Sequence, residues 1–142
     1  MQFNFLVIGL LISFVGKFCS CLPPGKINEE EYIKYNLILR GQIVKVVEGE
    51  NRTIYIKVDS YYKGKQQKDT IEILSPRQSG ICGIFPIVGE YWLMFAYANG
   101  NKYRTNLCTR TKNMNSKAWD YRGEELKEDL EFLETKRKSN TD

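Results

Sequence analysis

From Leu37 to Cys108 the chain is dominated by short stretches in which apolar and polar residues alternate, and only near its two ends does the spacing become helical. Leu37–Glu48 (LILRGQIVKVVE) is long and rich in β-branched residues, with Gly41 as the expected bulge or bend. Gly49–Arg52 reads as a turn, and Thr53–Tyr62 alternates as a second strand closed by Lys63-Gly64. Asp69–Leu74 predicts a third strand, followed by a loop from Ser75 into Ile81-Cys82-Gly83. Glu90–Tyr97 (EYWLMFAY) is almost continuously apolar and is the expected centre of the core. Asn99-Gly100 then predicts a tight hairpin turn into a fifth strand over Tyr103–Cys108.

Two helices flank these strands. Asn28 followed by Glu29, Glu30 and Glu31 carries a capping side chain, acids in the first turn and Glu at the capping-box position, predicting a short helix that fades near Asn36. In Glu124–Lys136 (EELKEDLEFLETK), Leu126, Leu130 and Leu133 fall on one face, as expected of an amphipathic helix that docks. Five strands with short turns, one early helix and one late helix predict a small mainly-β barrel, closed or partly open.

The first residues follow a different rule. Phe5–Val15 is an apolar run too short to span a bilayer and suited to a signal-peptide core, so residues 1–18 are expected to be removed on export. Cleavage before Cys19 puts Gly16 at −3, which suits signal peptidase, and the bulky Phe18 at −1, which does not. A lipid-bearing Cys19 is the other outcome at this position.

Composition narrows the chemistry. The 142 residues carry a formal net charge of +4, and the part from Cys19 onward has 20 Lys and Arg against 17 Asp and Glu, a balance of +3. So small a charge does not suggest a nucleic-acid partner, and Tyr55, Tyr61, Tyr62, Tyr91, Trp92, Tyr97 and Tyr103 are read as half-buried sheet residues rather than a base-stacking platform. There is no histidine, which excludes Ser-His-Asp or Cys-His nucleophiles and histidine-bearing zinc sites. The carboxylates of Glu29–Glu31 and Glu124–Glu131 are expected on solvated helix faces, and Arg77-Gln78 at a solvated loop tip. No enzyme is expected. Asn51-Arg52-Thr53 is a glycosylation sequon on a turn, relevant only in a glycosylating host.

The four cysteines, Cys19, Cys21, Cys82 and Cys108, fit an oxidising compartment. A Cys19–Cys21 bridge would close a very small, strained ring, leaving one of the two long-range pairings. In either, the Cys-x-Cys segment is tied to two distant parts of the domain, with roughly 4 kcal/mol per bridge in the chain-entropy model. A four-cysteine metal site is the competing reading, though the spacing is poor for zinc.

Cys19-Ser20-Cys21-Leu22-Pro23-Pro24 resembles the mature N-terminus of the tissue inhibitors of metalloproteinases, which open with C-[ST]-C and then carry proline. Leu37–Val44 and Tyr55–Gly64 are similar to that family's first two strands, and Ser75-Pro76 through Cys82-Gly83 to its loop ending in C-G. Val88–Leu93 and Thr105–Cys108 are similar to the last two strands, so the likeness spans about residues 19–112. It implies an OB-type five-stranded Greek-key barrel of the netrin-like class, with 113–142 as an extension, and the pairing Cys19–Cys82 and Cys21–Cys108. The cysteines of the family's third disulfide, the histidine of its opening motif and its cysteine-rich C-terminal domain have no counterpart here. A minimal single-domain relative, monomeric, is therefore expected, and proenzyme binding is not carried over.

The resemblance also implies a function. In the family the first mature residue chelates the catalytic zinc of the target protease through its amine and carbonyl, so Cys19 is the expected chelating residue. Ser20 would enter the specificity pocket. Cys21, Leu22 and Pro23 would lie along the cleft, with Ser79, Gly80 and Ile81 flanking it. The protein would need no metal or cofactor of its own, its partner being a zinc metalloendopeptidase, and it would be secreted or held in the cell envelope. The alternative is a non-inhibitory extracellular or lipid-anchored netrin-like binding module, favoured if Cys19 is lipidated, because an acylated amine cannot chelate. A small-spacer role for Ser20 and a purely structural role for the cysteines also account for those residues.

Overall fold

A computed structural model describes residues 19–65, 68–77 and 82–141. In chain order the elements are α1 (Glu29–Ile33), β1 (Leu37–Glu48), β2 (Asn51–Lys63), β3 (Thr70–Pro76), β4 (Tyr91–Asn99), β5 (Lys102–Arg104), β6 (Lys112–Asn113) and α2 (Gly123–Ser139). The strands are hydrogen-bonded in the order β1-β2-β3-β5-β4, and β4 pairs back onto β1, closing a five-stranded OB-type barrel. All the pairings are antiparallel except β3 with β5. The short β6 continues the sheet beside β4, through Trp92 with Asn113 and Leu93 with Lys112.

Closure depends on β1 serving two partners. Its first half faces Tyr91–Ala96 of β4, while register shifts near Leu39, Gly41 and Val44 bend it along β2. At the second of these irregularities a Cβ on Gly41 would stand 2.1 Å from the Lys57 carbonyl oxygen, so the bend requires glycine.

The chain has two apolar layers. The barrel interior holds Leu37, Leu39, Ile43, Ile54, Ile56, Ile71, Ile73, Ile84, Trp92, Met94 and Ala96. A second layer between the barrel wall and the helices contains Ile27, Tyr32, Tyr35, Ile38, Tyr62, Leu93, Phe95, Leu126 and Leu133. Thus β4 is apolar on both faces because Trp92, Met94 and Ala96 point inward while Leu93 and Phe95 lie beneath the helices. The helical face of Leu126, Leu130 and Leu133 is satisfied by the protein's own barrel.

Several boundaries differ from expectation. Asn28 caps α1 by accepting from the Glu31 amide at 2.9 Å, but the Glu31 carboxylate turns to Lys34 instead of completing the capping box, and the helix ends at Ile33. Asn51 and Arg52 belong to β2, paired with Pro76 and Ser75, rather than to a turn. The Asn99-Gly100 turn is present, with Gly100 at φ 61°. The strand expected through Cys108 stops at Arg104, because the Asn106 side chain accepts from the Cys108 amide at 2.8 Å and turns the chain. Helix α2 runs slightly beyond both expected ends. Among the described residues no helix is long and apolar enough to cross a membrane.

Candidate functional site

The cysteines form two crossed disulfides, Cys19–Cys82 and Cys21–Cys108, with Cα separations of 5.2 and 5.1 Å. All four sulfurs lie within 4.8 Å of one another. In this arrangement each is bonded to another sulfur, and a sulfur so bonded offers no thiolate to a metal. The bridges hold the Cys19–Cys21 segment against two loops at one edge of the barrel. Ser20, Leu22 and Pro23 are exposed there, Leu22 at 91 %. Ser79, Gly80 and Ile81 lie outside the described residues; their neighbour Cys82 has a left-handed backbone (φ 62°) and accepts from the Leu107 amide through its carbonyl at 2.6 Å.

The loop bearing Cys108 is fastened from below. Thr105, Thr109 and Thr111 are buried, and the Thr105 hydroxyl shares hydrogen bonds with Thr109 and Thr111 at 3.0 and 2.8 Å. The Thr105 hydroxyl also donates to the Phe95 carbonyl at 2.9 Å, and the Phe95 amide donates to the Thr111 hydroxyl at 2.9 Å. Three hydroxyls thus replace strand pairing where the chain leaves β5.

Two buried arginines secure the flanks. Arg52 donates to Glu48 and to the Ile84 carbonyl, each at 2.6 Å, and its guanidinium lies 4.1 Å from the Phe85 ring centre. A longer bond from Arg52 to the Arg77 carbonyl ties both sides of the Cys82 loop to β2. Arg110 donates from Nε and Nη2 to Asp129 on α2, the shortest bond being 2.6 Å, and from Nη1 to the Gly25 carbonyl at 2.8 Å. Lys112 donates to the same Asp129, and the side chains of Lys112 and Asp129 are fully buried. Desolvation pushes the Lys112 ammonium below its ordinary pKa, while Asp129 pulls it back up.

This cluster corrects the reading of Glu124–Glu131 as a wholly solvated face: Asp129 has no exposure and sits on the same helical face as Leu126 and Leu133. Arg77 is exposed as expected and donates to the Gly49 carbonyl. Of the sheet aromatics, Trp92 and Tyr62 are buried, whereas Tyr91 is half exposed. A further feature lies outside every predicted element. Trp119 is 95 % exposed and, with Leu22, Pro23, Leu107 and Tyr121, borders a groove of about 580 Å³ beside the Cys21–Cys108 bridge. A tryptophan in the polar stretch Asn115–Arg122 was its only signal.

The arrangement presents a ridge, Cys19–Pro24, with the polar Ser20 and the apolar Leu22 and Pro23 exposed, backed by two disulfides. Compared with the models of known protein families and with curated proteins, the chain gives no match.

Proposed function

We propose that the protein is a secreted inhibitor of zinc metalloendopeptidases, a single-domain relative of the tissue inhibitors of metalloproteinases. The observation that carries this reading is the pair of crossed disulfides that fixes Cys19-Ser20-Cys21 at the barrel edge with Ser20 and Leu22 exposed. The resemblance implied that pairing, and the closed five-stranded barrel agrees with its fold.

The chemistry follows from the ligand requirements of a catalytic zinc, which holds three protein ligands and leaves a position to water. Once residues 1–18 are removed, the Cys19 amine and carbonyl oxygen form a five-membered chelate able to displace that water. An α-amine has an ordinary pKa near about 8, so its deprotonation on a metal is easy at neutral pH. The Cys19 sulfur is committed to Cys82 and takes no part. Ser20 enters the adjoining pocket, and Cys21, Leu22 and Pro23 occupy the cleft beyond it. A segment already held by two bridges loses little entropy on docking.

The test begins with the exported protein. Its unreduced mass and N-terminal sequence are expected to show a chain starting at Cys19 with a free amine and both bridges formed. That form should inhibit at least one member of a metalloprotease panel, and adding a single residue before Cys19 should abolish inhibition with the fold unchanged. Equal inhibition by the extended form would sink the chelation mechanism, and a lipid on Cys19 would favour an anchored binding module.

A further inference from the structure

We infer that Arg110 and Asp129 are positioning residues for the inhibitory ridge, so that helix α2 sets the direction in which the Cys19–Pro24 segment leaves the barrel. The inference rests on the function proposed above and adds to it a role for the C-terminal helix.

The segment between the second bridge and the core has little to hold it. Pro23 and Pro24 have no amide hydrogen, Leu22 and Pro23 are exposed, and Gly25 has no side chain. The chain re-enters the core only at Ile27. Among the described residues, the hydrogen bond from Arg110 Nη1 to the Gly25 carbonyl, at 2.8 Å, is the one polar contact made by residues 22–26. The planar guanidinium makes that contact directional, because its Nε and Nη2 edge is already fixed on Asp129.

A tie between helix and barrel alone would not require this arrangement. Lys112, at the edge strand β6, already links the barrel to Asp129. Buried ion clusters are seldom more stable than apolar replacements of the same volume, and their best-attested use is to specify geometry. Here the geometry specified is that of Gly25, four residues from the Cys21–Cys108 bridge and six from Cys19. Glu31, 3.9 Å from Arg110 Nη1, adds a second carboxylate on the side of α1. The fork therefore joins three separate pieces of chain: the ridge, α1 and α2.

The experiment uses the mature protein starting at Cys19, with both bridges intact. Arg110→Lys keeps the charge facing Asp129 and removes the fork. The triple replacement Arg110→Met, Lys112→Met, Asp129→Leu removes the three buried charges together, leaving Glu31 to its pairing with Lys34, and guards against a variant that fails to fold for want of a partner. Amide order parameters of Leu22, Gly25 and Lys26 are expected to fall from rigid values to below about 0.6 in both variants, with those of Trp92–Phe95 unchanged. Inhibition constants are expected to rise roughly tenfold or more as the segment must be ordered on binding. Unchanged order parameters in a folded variant, or a loosened segment that inhibits as well as before, would overturn the inference. A wild-type protein that inhibits no metalloprotease overturns the function instead, and the order parameters then decide whether the brace exists.

Discussion

A methyl group on Gly41 would collide with the backbone of Lys57, 2.1 Å from its oxygen and 2.9 Å from its carbonyl carbon. Backbone cannot swing aside as a flexible side chain can, so Gly41→Ala must open the β1–β2 pairing at the point where β1 bends to meet both neighbours. The expected loss is about 3 kcal/mol, measured by urea denaturation, and a loss below about 0.5 kcal/mol would show that the strand pair can shift. Gly41 stood out in the sequence because a glycine inside a β-branched run has few other uses. The cysteines stood out for a similar reason, since their chemistry is carried by the residue type itself. Asp129 did not. It is one acid among several in a charged helix, and its burial depends on Arg110 and Lys112, which lie 19 and 17 positions earlier. Arg52 was hidden in the same way, because the carbonyls it holds belong to residues 77 and 84.

The seam between the helices and the outer face of the barrel was legible only as a stripe of leucines on α2. Its other half is aromatic: Tyr32 and Tyr35 at α1 and Tyr62 on β2, with the Tyr62 hydroxyl donating to Glu134 at 3.2 Å. In the sequence, Tyr32 and Tyr35 could equally have faced solvent from the short helix and Tyr62 from an exposed sheet face, and the docking of α2 decides between the two. Burial raises all three phenols above the ordinary value of 10.0, Tyr35 the furthest, with Tyr97 adding to the effect there. Above pH 10 the unfolded chain releases these protons while the folded protein keeps them, so the unfolded state binds fewer. Their contribution is therefore complete below pH 10 and is lost as pH rises from there toward the raised native values. Lys112 acts in the opposite sense. Its ammonium is depressed by burial, and the stability linked to it rises as pH approaches the ordinary lysine value of 10.5. Urea midpoints are expected to drop between about pH 10 and pH 11, more shallowly in Tyr35→Phe. An identical slope in that variant would mean that Tyr35 ionises as freely in the fold as outside it.

At the scale of the whole molecule, the barrel and the ridge are stabilised by different means. The barrel is closed by strand pairing around an apolar interior, whereas the ridge has two disulfides, a carbonyl held by Arg110 and almost no burial of its own. The bridges connect residues 63 and 87 apart, which corresponds to about 4 to 5 kcal/mol for each acting alone in the chain-entropy model. They are crossed and share their neighbourhood, so with one in place the other closes a much shorter effective loop. Removing one bridge should therefore cost less than removing the second. Urea denaturation of Cys19→Ser/Cys82→Ser, of Cys21→Ser/Cys108→Ser and of the four-serine chain tests this directly. Each double variant is expected to lose somewhat under about 4 kcal/mol, and the four-serine chain more than the two losses added together. Simple additivity would indicate that the bridges constrain independent parts of the unfolded chain. Function should be more sensitive than stability, because either double variant keeps the closed sheet but loses one of the two anchors of the ridge. Loss of Cys21–Cys108 frees the stem at Cys21, and loss of Cys19–Cys82 frees the end whose amine is proposed to chelate zinc. Inhibition is therefore expected to disappear in both double variants while the barrel remains folded.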